Sequence, residues 1–535
     1  MKDGAPSLSA SQQAYIDNMA ESVCIEGDGD LARVCDEIEQ LLIKAKVPIY
    51  QRGGMLVRVV AGGPERKGIE RDPAAPRIVP INDVALADLI TRHLQVWRRN
   101  RKTQELQRVD CPRAVAQTLL ARQEWLFPEL EAVVEHPVML AGGQVLWESG
   151  FHAETGLLLQ LPFAEFQAPL DAPTRSEAQA AGDLLRELLE GFPFMEEVDE
   201  AVALAFILTP FVRPILKTAP AFSVNAFAAG SGKSTLIRTA SVISTGREPA
   251  FLAYSDDPAE LRKVLFASLL EGDQHIALDN IDVPVASSEL AVILTSPMYR
   301  GRVLGQSTNA SVPTKAVFSM NGNNLQIVGD LTRRVLECRI DPMCDRPAER
   351  VFPFNPIDEV RSRRSEYVLA ALTIMQAYIA SGKRVELRPF GSFEAWSRLV
   401  REPLVWLGLS DPVDSIRGLE EVDPERTQLR SMLEVVHAVY GTRQFKVAEL
   451  LLLAKVKHPS GQAELGEARA IDDTSRTALA EALQAVCERN GELNARALGK
   501  WLLRMNGRME AGRRFVRIRQ TTVAAIWCID VQQQG

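Results

Sequence analysis

Residues 221–243 read AFSVNAFAAGSGKSTLIRTASVI: an apolar strand, a glycine-bearing loop and the opening of a helix. A polyphosphate needs that order. Gly230 and Gly232 let backbone N–H groups turn inward around phosphate oxygens at the positive end of a helix. Lys233 brings a point charge to the same oxygens, and the Ser234 hydroxyl is placed to ligate Mg2+. Ser231 and Thr235 complete the run assigned to nucleotide: Gly230, Ser231, Gly232, Lys233, Ser234 and Thr235. The full phosphate-loop pattern has a further glycine where Phe227 stands, so the match is one position short.

Working outward, such a loop calls for an apolar strand ending in an acid. HIALDN, residues 275–280, supplies it, with Asp279 after Ile276, Ala277 and Leu278. Residues 257–272, DPAELRKVLFASLLEG, fill the interval with one helix. Asp279 is expected to hold Mg2+ through its water shell. Many ATPases put a Glu directly after this acid to polarise water; here Asn280 stands there, and an amide is no base. A third strand, AVFSMNGNN at 316–324, ends in amides, so Asn321 and Asn323 are both candidates to position water against a γ-phosphate. Arg333 and Arg334 follow in GDLTRRVLECRID, residues 329–341. An Arg pair can be a surface salt bridge, but this position favours an arginine finger offered to a neighbouring subunit's ATP.

The whole chain has 535 residues, 46 % hydrophobic and 24 % charged, which is globular composition sufficient for three or four domains. With 61 basic against 69 acidic residues the net charge is -8, which argues against a coat of nucleic acid but allows a local basic patch. The seven cysteines are scattered without a C-x-x-C pair and read as reduced cytosolic thiols. The longest apolar run, 201–212, falls short of the roughly 20 residues of a membrane span. The amino terminus has no signal-peptide core, so a cytoplasmic protein is expected. The expected fold class is multidomain α/β. It comprises an N-terminal mixed α/β region (1–170) without assigned chemistry, a nucleotide-binding core (171–345), a helical lid or connector (346–426) and a C-terminal winged helix (427–535).

The last of these rests on NARALGKWLLRMNGRMEAGRRFVRIRQ, residues 494–520. Asn494 caps a helix whose apolar face is Leu498, Trp501, Leu502 and Met505. Arg496, Lys500 and Arg504 recur every fourth position on another face. A hairpin is expected to turn at Glu510-Ala511-Gly512, with Arg513, Arg514, Arg517 and Arg519 on its return strand. From 496 to 519 there are eight basic residues and one acid, so +7. A helix followed by a basic hairpin is the layout of a winged helix entering a major groove.

The blocks AGSGKST, HIALDN, RGRVLGQS, MNGNN and GDLTRRVL, in that order, resemble an AAA+ ATPase. More narrowly, they resemble the superfamily 3-type replicative helicases of phages, prophages and plasmids. LVREPLVWLG and NARALGKWLLRMNGR are similar to the ends of prophage replication ATPases, so the resemblance spans roughly 110–530. It implies a self-associating ring of six subunits, a hexamer, with ATP and Mg2+ at subunit interfaces, single-stranded DNA in the channel and duplex at the winged helix. Carried over by position, Lys233 and Ser234 hold phosphate and Mg2+, and Asp279 is the Walker B acid. Asn321 or Asn323 is the sensor, and Arg334 or Arg333 the finger. Residues 300–318 would be the channel hairpin, turning near Asn309, with Arg302 its candidate DNA contact, although Arg300, Arg302 and Lys315 all stand away from the tip. Some relatives carry or partner a primase. Residues 1–170 lack the paired acids and histidine of one, so a primase would be a separate chain. The expected function is an ATP-dependent DNA helicase or translocase in mobile-element replication. The alternative, favoured by Asn280, is an ATP-binding loader or switch with slow or absent hydrolysis.

Overall fold

The computed structural model describes residues 22–27, 29–62, 68–161, 166, 168–303, 309–344, 346–350, 353–422, 424–455, 473–489, 491–520 and 525–532. It is a mixed α/β structure built around a mostly parallel sheet. Strand Ala221–Ala226 is buried at five of its six positions, which requires cover on both faces and suits a parallel sheet. Six strands lie in the order Val335–Arg339, Ala221–Ala226, Val317–Asn323, His275–Ile281, Ala250–Ala253 and Ile69–Glu70. The first five run parallel and the last antiparallel. The amide strand Val317–Asn323 therefore lies between the loop strand and the acid strand, pairing Val224 with Asn321 and Leu278 with Met320. The carboxyl ends of the parallel strands share one sheet edge, where ligands of open α/β sheets gather.

Helix Lys233–Thr245 starts at Gly232 (φ 102°) and stops at Gly246 (φ 74°), both left-handed, as the ends of a helix pressed between tight loops require. The helix expected between loop and acid strand is Pro258–Glu271, with the Asp257 carboxylate accepting from the Ala259 N–H at 2.8 Å. The Thr174–Glu177 capping box opens helix Arg175–Leu189, against which Pro356–Ala380 packs.

The chain forms two compact units: 1–325 with 333–415, and 416–535 with 326–332. The first unit thus takes all of the expected segment 1–170 and, apart from 326–332 and 416–426, the segments 171–345 and 346–426. The N-terminal region even adds its short strand Ile69–Glu70 to the central sheet, beside Phe251 and Leu252. Arg71 fixes that edge through Glu271 (2.6 Å) and Asp273 (2.5 Å), and Arg77 reaches Glu271 at 2.9 Å. The second unit folds around Met432, Phe445, Trp501, Phe515 and Trp527. Its three-stranded sheet places Ala525–Val531 between Phe445–Lys446 and Arg513–Gln520. Among the described residues no helix is long and apolar enough to cross a membrane.

Candidate nucleotide site and basic surfaces

Gly230 (φ 75°) and Gly232 bend the loop after Ala226 back over the start of its helix. Ser231 is buried, its hydroxyl donating to the Ala228 carbonyl at 2.6 Å, so it braces the loop from beneath. The Lys233 ammonium donates to the same carbonyl at 2.9 Å and to Asn323 Oδ1 at 2.7 Å. Partial burial pushes its pKa down, and the Asp279 charge pulls it back up. Phe227 is 62 % exposed and is absent from the residues with positive φ, so this loop needs no glycine there. Thr235 continues the first helical turn, partly buried.

The two candidate amides have different stations. Asn321, 2 % exposed, donates from Nδ2 to Ser234 Oγ at 3.0 Å, and its Oδ1 accepts from the Asn280 N–H at 2.9 Å. It thereby brackets the loop helix and the acid strand in one side chain. Asn280 is left-handed (φ 53°) where the acid strand slips register between Leu278 and Ile281. That bulge leaves Asp279 half-buried beside Ala253 and turns Asn280 outward. Asn323 is exposed and holds Lys233. Between the amides, a Cβ on Gly322 would lie 2.3 Å from the Ile281 carbonyl oxygen, which is why the run reads Asn-Gly-Asn.

Sequence reasoning missed Asn225, at the end of the loop strand. Its Oδ1 accepts from the Leu325 N–H (2.8 Å), while Nδ2 donates to the Leu325 carbonyl (3.1 Å) and to Glu337 Oε1 (2.9 Å). The only signal was a polar residue inside an apolar run. Burial pushes the Glu337 carboxyl up to about 7, against the pull of the Asn225 hydrogen bond and the Arg339 charge.

Arg333 is exposed and Arg334 partly buried. The Arg334 carbonyl accepts from the Ala221 N–H at 3.0 Å, at the start of the loop strand. Both arginines therefore enter at the sheet edge opposite the phosphate loop, five strand steps or roughly 16 Å away. They are not brought to their own chain's loop.

Overlapping the stretch 300–318, Met298–Arg302 pairs antiparallel with Asn309–Pro313, with Arg302 opposite Asn309. Asn309, the expected turning point, lies on the second strand, and 304–308 lie outside the described residues. Gly301 lies against Phe266, where a Cβ would come within 2.4 Å of the ring, so this hairpin packs onto helix Pro258–Glu271. Arg300 and Arg302 are exposed. Lys315 points inward, donating to the Leu216 carbonyl at 3.2 Å, and burial depresses its pKa.

In the second unit, Asn494 Oδ1 accepts from the Ala497 N–H at 2.9 Å, and Leu498, Trp501, Leu502 and Met505 are the buried face of Ala495–Met505. Arg496 and Lys500 are exposed, whereas Arg504 pairs with Glu425 at 3.2 Å. The Glu510-Ala511-Gly512 turn is present, with Glu510 and Arg513 exchanging backbone hydrogen bonds. One correction follows: Arg513–Gln520 is the first strand of the main hairpin, not its return. Its partner is Ala525–Val531, and the connecting 521–524 lie outside the described residues. Two-residue turns resemble one another in sequence, and the longer ladder is set by apolar alternation further along. Arg514 pairs with Asp530 at 2.6 Å, while among the described residues Arg513, Arg517 and Arg519 form no ion pair. Glu510 is buried. Desolvation works against its charge, but Arg430 and Arg426 outweigh it and hold its pKa down, so the one acid of the stretch faces inward.

No protein-family model matches the chain, and no curated protein matches it. Among solved structures, the apo C-terminal region of NrS-1 aligns with a TM-score of 0.39 at 9 % identity, covering 92 % of this chain and 98 % of that one. Cch of SCCmec type IV, titled an active helicase, aligns with a TM-score of 0.33 at 11 % identity, over 90 % and 97 %. JCV helicase aligns with a TM-score of 0.20 at 15 % identity, over 44 % and 70 %. At these scores the likenesses carry no argument, and the functional reading rests on the site.

Proposed function

We propose that this chain is an ATP-driven DNA motor, a helicase or translocase of mobile-element replication working as a ring. One observation carries the reading. Asn321 ties Ser234 to the backbone beside Asp279, while Asn323 holds Lys233, so three separate sequence blocks converge around the glycine loop. Among the described residues the hydrogen bonds of Lys233 go to two neutral oxygens, and Ser234 and Asp279 offer a hydroxyl and a carboxylate. That donor set suits Mg2+ bound to ATP, with Ser234 its direct ligand and Asp279 acting through water. Bound metal would neutralise charge on the terminal phosphates. Loop N–H groups at Gly230–Thr235 orient the phosphates, Lys233 exchanges Asn323 for phosphate oxygen, and the freed Asn323 amide orients water. Arg334 or Arg333, remote from its own loop, serves a neighbour's ATP in the ring, with six subunits the expected number. Arg302 and a strand in the channel, and Arg496, Lys500, Arg504, Arg513, Arg514 and Arg517 on duplex, are the proposed DNA contacts. A separate primase is the natural partner of such a motor.

The second reading, a loader or switch, is favoured by Asn280, which faces outward and cannot take a proton. Steady-state ATP hydrolysis by wild type and Lys233→Ala, with and without single-stranded DNA, separates the two. DNA-stimulated turnover lost in the variant supports the motor. Tight ATP binding without turnover moves the assignment to the switch. A protein that stays monomeric with ATP and DNA together would sink the ring.

A further inference from the structure

We infer that the β-hairpin of residues 95–109 is a second nucleic-acid contact, gripping the sugar–phosphate backbone independently of the basic tail. The inference deepens the DNA reading above. Strands Gln95–Arg99 and Leu106–Val109 pair antiparallel, with Ser22–Ile25 alongside the first. Their turn is held from within. Asn100 N–H donates to the Glu105 carbonyl (2.9 Å), Asn100 Oδ1 accepts from the Lys102 N–H (2.9 Å), and Arg99 bonds the Gln104 carbonyl (3.1 Å).

Residues 95–109 carry Arg98, Arg99, Arg101, Lys102 and Arg108 against Glu105, a net +4 in a chain of net -8. Elsewhere in this region exposed arginines meet acids: Arg33 with Asp30 and Glu37, Arg92 with Asp88, Arg113 with Asp83, and the half-buried Arg122 pairs with Asp36. Among the described residues Arg98, Lys102 and Arg108 have no such partner. Arg98 lies on the same sheet face as Val96, yet Val96 is buried and Arg98 exposed, so the end of the ladder stands clear of the core. Arg108, opposite Trp97, projects from the other face. Positive charge thus surrounds the hairpin end.

The partner's chemistry follows from what is missing. Among the described residues no large apolar side chain between Val84 and Leu126 is exposed. A protein interface needs a buried apolar or aromatic centre, which this surface lacks. Phosphate contacts need only cations and small polar groups, and Asn100, Thr103 and Gln104 supply the latter.

The test uses the full chain and fluorescent single- and double-stranded oligonucleotides across roughly 50 to 200 mM salt. Arg98→Gln, Lys102→Gln and Arg108→Gln are combined, alone and together with Arg496→Gln and Lys500→Gln in the tail. The hairpin triple should weaken single-strand binding about tenfold and flatten the slope of log affinity against log salt by about 2, near 0.7 per charge. The tail changes should add to this. An unchanged slope in the hairpin triple, with loss in the tail variant, overturns the hairpin contact alone. Unchanged binding in both overturns it together with the DNA reading. Retention of the protein on polyglutamate but not on oligonucleotide, abolished in the triple, assigns the surface to an acidic protein and also overturns it. Should the triple's melting midpoint fall, Lys102→Gln alone in the turn must still lower the slope by about 0.7.

Discussion

The Lys233 ammonium lies 2.7 Å from Asn323 Oδ1, joining the phosphate loop to a residue ninety positions later on a different strand. An amide is a weak partner for a cation, so a phosphate dianion displaces it readily. A carboxylate would not yield as easily. Asn323→Asp should weaken ATP binding about tenfold, equivalent to roughly 1.4 kcal/mol. On the proposal that Asn323 orients water, Asn323→Ala should leave affinity within about threefold and lower turnover instead. Equilibrium nucleotide titration beside steady-state turnover distinguishes them. Identical effects of the two changes would place Asn323 outside the phosphate site.

Gly322 is a packing requirement. Its added Cβ would stand 2.3 Å from a backbone oxygen of Ile281, which cannot swing away as a side chain can. Gly322→Ala should cost about 1–3 kcal/mol by chemical denaturation and disturb Asn321 and Asn323 together. Gly499 is the contrasting case: it lies within helix Ala495–Met505 and has open space where a Cβ would go. Gly499→Ala should stabilise the second unit by up to about 1 kcal/mol through helix propensity. Equal destabilisation by both would refute the packing account of Gly322.

Glu337 makes stability depend on pH. Burial raises its folded pKa to about 7 from an ordinary value near 4.5. The folded state therefore holds the proton more tightly than the unfolded chain. The resulting stabilisation is complete below about 4.5 and is lost as pH rises through about 7. Glu337→Gln keeps an oxygen for the Asn225 amide and removes the titration. At pH 8 the variant should be more stable than wild type by up to ~3 kcal/mol, with little difference near pH 4.5. Urea unfolding at the two values decides this, and a variant less stable at pH 8 would reverse the argument.

The sheet edge that gathers the glycine loop, Asp279 and the amides was legible because its signals are local. A glycine loop between strand and helix, an acid closing an apolar run and amides closing another each lie within a few residues, and the sheet joins their ends. The tail helix was legible for the same reason, through Asn494 and the spacing of Leu498, Trp501, Leu502 and Met505. Long-range pairing was not. Ile69–Glu70 is two residues long and joins the sheet through backbone hydrogen bonds to Phe251 and Leu252, which no periodicity announces. The division of labour between Asn321 and Asn323 depends on the bulge at Asn280, a backbone event. The strand Arg513–Gln520 was assigned to the nearer turn because its true partner lies beyond 521–524.

Arg333 and Arg334 give the sharpest test of assembly. They precede strand Val335–Arg339, and the Arg334 carbonyl bonds Ala221 at the end of the loop strand away from Lys233, which suits the proposal that they serve a neighbour's phosphate. In a ring, a neighbour's arginine would supply charge stabilisation that only the transition state uses. Arg334→Ala should therefore lower turnover by 100-fold or more, on the order of 3 kcal/mol, with ATP affinity within about threefold of wild type. Mixed with Lys233→Ala subunits, it should recover activity. One subunit then offers an intact loop and its neighbour an intact arginine. The recovered rate should peak near equal proportions and depend on total concentration, as an interface site must. If Arg334→Ala behaves so poorly that Arg333→Ala alone rescues in mixtures, the finger is Arg333. Absence of recovery by either at any ratio would remove both arginines from the active site and leave their role to the folding of strand Val335–Arg339.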